Sequence, residues 1–127
     1  MNLMKKIFKF LSLVLALSIM GCSSHPRSIF PDEIPDICTY GYGSNEIAYI
    51  CDNYILKDKS YNQNSYDGVK VFSFNRDKPY AYYIPPSDLS VEGKKQCFID
   101  AINNGAKVIV ASGFDQSEII TEIAKAH

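Results

Sequence analysis

Few side chains in this 127-residue chain carry reactive chemistry. His25 and His127 are its two histidines, and neither sits in a motif with a nucleophile. Cys22, Cys38, Cys51 and Cys97 follow no metal-ligand or Cys-x-x-Cys spacing. Catalysis or metal binding needs such groups in defined company, so an enzyme is not expected, and neither is a metal or a cofactor. What remains are residues suited to binding. Asp52, followed by Asn53, ends the nearly continuous apolar run Glu46-Ile47-Ala48-Tyr49-Ile50-Cys51. Pro85-Pro86-Ser87-Asp88 follows an aromatic run, and Ser112-Gly113-Phe114 follows an aliphatic one.

Cys22 stands apart from these. Lys5, Lys6 and Lys9 head the chain without an acid among them, and from Phe10 to Met20 the only polar side chains are Ser12 and Ser18. A basic head and a short apolar core make a secretory signal, and the core is too short for the roughly 20 apolar residues of a membrane span. The run closes on Ser18-Ile19-Met20-Gly21-Cys22, which resembles the lipobox of bacterial lipoproteins. That resemblance implies cleavage before Cys22, a diacylglyceride and palmitate on it, and a mature protein held on the cell membrane, facing the periplasm or the exterior. Several acyl chains at about 0.8 kcal/mol per buried methylene make such an anchor stable. Residues 22–43, rich in serine and proline at their start, read as a flexible tether.

Loss of residues 1–21 removes three of the 13 Lys and Arg and none of the 14 Asp and Glu, which leaves a formal charge of −4. Nucleic acid is therefore an unsuitable partner. Cys38, Cys51 and Cys97 are an odd trio, and buried free thiols are expected.

The folded part reads as residues 44–127, a single small domain. Glu46 to Cys51 has the pattern of a strand buried on both faces. From Ser60 to Phe74, Tyr61, Ser65, Val69 and Phe72 fall on one helical stripe, with Ser60 as its cap. Pro79 to Ile84 is a second strand, rich in tyrosine and stopped by Pro85-Pro86. Ser90 opens a second helix with Cys97, Phe98, Ala101 and Ile102 on its apolar side, ending at Asn103-Asn104-Gly105. Ala106 to Ala111 is a third strand. Ser117 to Ala126 is a third helix, with Ile119, Ile120, Ile123 and Ala124 on one face. The order βαβαβα predicts a three-layer α/β unit on a parallel sheet, whose ligands bind outside the carboxyl ends of the strands. Asp52, the Pro85 to Asp88 loop and Ser112-Gly113-Phe114 all fall there.

The stretch Asp52-Asn53-Tyr54-Ile55-Leu56-Lys57-Asp58-Lys59-Ser60-Tyr61-Asn62-Gln63-Asn64-Ser65-Tyr66-Asp67-Gly68 resembles, without a gap, the signature D-V-G-G-I-D-D-K-S-F-N-Q-S-A-W-E-G of the basic membrane protein family. These are substrate-binding lipoproteins of ABC transporters, typified by purine nucleoside receptors. Ala101 to Phe114 looks like a second block of the same family. The resemblance covers residues 45 to 127, the first part of the amino-terminal lobe of a type I periplasmic binding protein, so a truncated or split product is expected.

On the residues alone, Tyr61 reads as a core aromatic and Asp52 as a cap. The resemblance instead implies that Asp52 contacts a ligand, with Asn53 beside it, and that Tyr61 stacks on a base. A carboxylate accepts from a ribose hydroxyl or a base N–H, and an aromatic face contributes roughly 1–3 kcal/mol of stacking. Ser112, Gly113 and Phe114 either shape the floor of that site or form a turn with Phe114 packed below it. Tyr54-Ile55 and Lys57-Asp58 stand where the family has Gly-Gly and Asp-Asp. The expected function is nucleoside binding for an ABC permease. The alternative is a non-transporting surface lipoprotein that uses the scaffold for adhesion or protein contacts, which nine tyrosines would suit.

Overall fold

The computed structural model describes residues 30–38 and 44–127. Residues 1–29, with the segment read as a signal peptide, Cys22 and the start of the segment read as a tether, lie outside the described residues, as do residues 39–43. Three strands, β1 (Ile47–Ile50), β2 (Tyr80–Tyr83) and β3 (Val108–Ala111), alternate with three helices, α1 (Tyr61–Asn75), α2 (Val91–Asn103) and α3 (Ser117–Ala126). The sheet is parallel with β1 in the middle, in the order β2-β1-β3. Ile47 of β1 is level with Tyr80 and Val108, and Ile50 with Tyr83 and Ala111. The chain is thus an α/β unit of the expected βαβαβα order.

Alternation along β1 divides the core between the two faces of the sheet. Ile47, Tyr49 and Cys51 pack with Tyr66 and Val69 of α1 and with Tyr80. Ala48 and Ile50 pack with Cys97, Phe98 and Ala101 of α2 and Ile119 of α3. Every residue of β1 is buried, as an apolar run covered on both faces should be. The α1 side is an aromatic stack, with the Tyr49 and Tyr66 rings 5.3 Å apart and Tyr82 set edge-on to Tyr66 at 5.4 Å.

Two details differ from the sequence reading, and a third, the place of β3 in the sheet, is one it left open. The buried face of α1 runs through Asn62, Tyr66, Val69, Lys70 and Ser73, one position round from the predicted stripe, and it leaves Tyr61 and Phe72 more than half exposed. The physical reason is that this face is partly polar. Asn62 and Lys70 find hydrogen-bonding or charged partners in the interior, and apolar periodicity cannot register such positions. β3 is wholly apolar yet lies at the sheet edge, where Val108 and Val110 are exposed. α1 covers β1 and β2 and stops short of it.

The other difference is in the segment read as a tether. Its residues 31–38 lie as a strap across α1 and the edge of β2. Ile34 is buried among Tyr66, Tyr80 and Leu56. The Tyr66 hydroxyl donates to the Asp36 carbonyl, and the Tyr80 hydroxyl to that of Pro35 at 2.7 Å. The backbones of Cys38 and Tyr80 exchange two hydrogen bonds in an antiparallel bridge. Lys70, buried on α1, donates to the Pro31 carbonyl at 3.0 Å and pairs with Asp36, which also pairs with Lys57 at 2.7 Å. The ion pair with Lys57 leads the effects that hold the Asp36 carboxyl below the usual carboxylate range, against the opposing pull of burial.

Integral packing of the strap has a measurable consequence. Ile34→Ala should cost about 2–4 kcal/mol, as for other buried large-to-small changes. Phe30→Ala, at a side chain 67% exposed, should stay within about 0.5 kcal/mol. Urea unfolding midpoints of the two variants check the difference, and equal midpoints would return the strap to a loose tether.

Candidate functional site

Above the carboxyl ends of the strands, the loop after β1, the start of α1 and the turn after β3 meet. α1 is not capped by Ser60, whose side chain makes no capping bond. Asp58 caps it instead, its carboxylate accepting from the backbone N–H of Ser60 at 2.8 Å, Asn62 at 3.2 Å and Gln63 at 3.2 Å. A carboxylate at a helix start satisfies unpaired N–H groups and complements the helix dipole. Burial pushes the Asp58 carboxyl up, but these N–H groups together hold it below the usual range.

Asp58 also accepts from Nδ2 of Asn62 at 3.2 Å, which fixes the direction of that buried amide. Its Oδ1 then faces three donors: the Asp52 N–H at 3.1 Å, the Tyr49 hydroxyl at 3.2 Å and the Ser112 hydroxyl at 3.0 Å. Tyr49 and Ser112 are themselves 2.7 Å apart. Two hydroxyl protons serve three oxygens, so one hydroxyl donates to the other while the second proton goes to Asn62. The result ties β1, α1 and the end of β3 together beneath the site.

Gly113 has φ 101°, and a Cβ there would lie 2.1 Å from Oδ1 of Asp52. Only glycine lets the turn lie this close to the Asp52 carboxyl. Asp115, two residues on, lies within hydrogen-bonding reach of Asp52 and pairs with the buried ammonium of Lys94 on α2. Burial first, and then the neighbouring Asp115, pushes the Asp52 carboxyl up. The ion pair with Lys94 holds the Asp115 carboxyl down. Gln116 is fully buried and donates to the carbonyls of Cys51 and Ser112 at 3.1 and 2.7 Å, which locks the turn onto β1.

The six sequence-predicted ligand residues therefore divide. Asp52 and Gly113 touch one another. Tyr61, 59% exposed, is free of the core and immediately precedes Asn62, so its ring has the accessibility that stacking needs. Ser112 is buried in the Asn62 network and serves the floor. Asn53 accepts from the N–H of Ile55 at 2.7 Å, closing a local turn. Phe114 does not pack below its turn; it is fully exposed. Asn62, Lys94, Asp115 and Gln116 are central to the arrangement and were not singled out by sequence. Asn62 shares helical spacing with Tyr66, Val69 and Ser73, and it falls within the quoted Asp52 to Gly68 stretch; either signal could have drawn attention to it.

Cys51 and Cys97 are buried free thiols and Cys38 a partly buried one. Burial pushes the Cys51 thiol up to about 11, well away from nucleophilic use. Among the described residues no cluster of His, Cys, Asp and Glu could hold a metal, and no helix is long and apolar enough to cross a membrane. No protein-family model, curated protein or solved structure matches this chain.

Gly113→Ala should destabilise the protein by more than about 1 kcal/mol, through both its backbone conformation and the collision with Asp52. The penalty should shrink when Asp52→Ala is added. Thermal melts of the single and double variants measure that coupling, and additive effects would show that the close approach is unimportant.

Proposed function

We propose that this chain is a membrane-anchored solute-binding lipoprotein of an ABC importer, with a nucleoside-class ligand received by Asp52 and Tyr61. The observation that carries the reading is the meeting of Asp52 and Gly113 at the carboxyl ends of three parallel strands, with the exposed Tyr61 at the start of the adjoining helix. Ligands of open parallel sheets settle at that end. Asp52 offers acceptors to a ribose diol or a base N–H, and Tyr61 offers a face for a purine. Neither role calls for catalytic chemistry, in keeping with a receptor and not an enzyme. The resemblance of Ser18 to Cys22 to a lipobox supports the anchor, and a permease is the partner that the two sequence blocks imply.

The second reading, a surface lipoprotein that binds other proteins, draws on the same end of the molecule. Tyr54 and Ile55 in the loop after β1 are about half exposed and Phe114 fully so. Exposed aromatic and aliphatic groups of this kind suit a protein contact.

Isothermal titration with inosine separates the two. The first reading expects weak, saturable binding, because an open crevice buries little of a ligand, and its loss in Tyr61→Ala with the fold retained. Absence of saturation by any purine nucleoside sinks that reading in favour of the second.

The anchor is tested separately. Cys22→Ala should abolish palmitate labelling and move the protein from the detergent to the aqueous phase on Triton X-114 partition. Unchanged partition would remove the lipoprotein reading.

A further inference from the structure

Lys94 occupies a position where packing alone would favour an apolar side chain. It lies on α2, one turn before the core residues Cys97 and Phe98, and is 5% exposed. Burying an ammonium is costly unless a specific partner receives it. The partner is Asp115, in the turn that Gly113 begins, and Asp115 in turn reaches Asp52 at the end of β1. Two acids are thus brought together from separate loops, Asp52 pressed against a glycine that leaves no room for a side chain and Asp115 joined to one buried cation.

Resting on the reading of Asp52 as a ligand acceptor, we propose that Lys94 is the positioning residue of this site: through Asp115 it holds the Asp52 carboxyl against Gly113, in the place from which it accepts from the ligand. Without Lys94 the two carboxylates repel, and one must take a proton or swing away. The other groups around Asp52 do not substitute for it. Gln116 and Asn62 are neutral, Cys51 is a buried thiol, and Asp58 is a further anion, committed to the start of α1.

The test uses the full chain in detergent, with inosine as probe and Lys94→Met as variant. Inosine affinity at neutral pH should fall about threefold, a modest effect because the Asp115 side of the pair is 59% exposed and screened by water. Adding Asp115→Asn should restore it, because the repulsion is then gone; a purely structural lysine would not be rescued this way. Carbon-13 titration of the Asp52 carboxyl, without ligand, should show its midpoint moving to higher pH in Lys94→Met. If Lys94→Met does not fold, Lys94→Gln is read in the same way. Unchanged affinity, failure of Asp115→Asn to rescue, or an unmoved Asp52 midpoint overturns the proposal. If the natural chain does not bind inosine, the nucleoside reading fails on its own, and the Asp52 midpoint still decides whether Lys94 positions that carboxyl.

Discussion

One buried carbonyl oxygen, that of the Asn62 side chain, holds the working end of this fold together. It receives the N–H that leads out of β1 and the hydroxyl pair from the middle of β1 and the end of β3, while its own amide nitrogen is spent on Asp58. Each of these groups would be a buried polar liability alone, and a buried donor or acceptor without a partner costs about 1–3 kcal/mol. Joined at Asn62 they become mutually dependent, so the loop after β1 and the turn after β3 keep one arrangement. A polar network of this kind is stabilising only when its members are satisfied together.

The site is built on that floor. With Ser112 held from below and Gln116 pinning the turn to β1, Gly113 is left with positive φ and no space beside it except that filled by the Asp52 carboxyl. Asp52 is consequently a carboxylate in an unfavourable setting, partly buried and beside a second acid. A group whose folded pKa is raised in this way favours the fold at low pH and withdraws that contribution as pH rises through the raised value. Asp115, held low by Lys94, works in the opposite sense: its contribution is present above the ordinary carboxylate pKa and lost as pH falls through the lowered one. The two carboxyls therefore pull stability in opposite directions across the acid range.

The two edges of the sheet are treated differently. The strap closes the β2 edge by bridging Cys38 to Tyr80, while β3 ends the sheet with Val108 and Val110 exposed. A cavity of about 400 Å³ beside Phe72 and Val108, and another of about 420 Å³ between β3 and α3, flank that edge. An apolar strand at an uncovered edge has the composition of an interior strand without its surroundings. Nothing in the local sequence of Val108 to Ala111 distinguishes those two situations.

The alternation of strand and helix and the parallel sheet were legible in the residues alone, as was the placing of Asp52 and Ser112-Gly113-Phe114 at the carboxyl ends of the strands. These follow from local rules: continuous apolar runs, glycine and proline stops, and the Ser90 cap, which does accept from the Gly93 N–H at 3.2 Å. Only the tertiary structure decided that α1 turns a partly polar face inward, that Asp58 and not Ser60 caps it, that residues 31–38 pack as a strap, and that Lys94, Asp115 and Gln116 attend Asp52. The Asp58 cap is a local choice between two neighbouring capping groups. The other three share one reason: each depends on polar groups satisfied by partners far along the chain, such as Asn62 with Ser112 or Lys70 with Asp36. Hydrophobic periodicity reports which residues avoid water, and it is silent about which polar residues will find one another once water is gone.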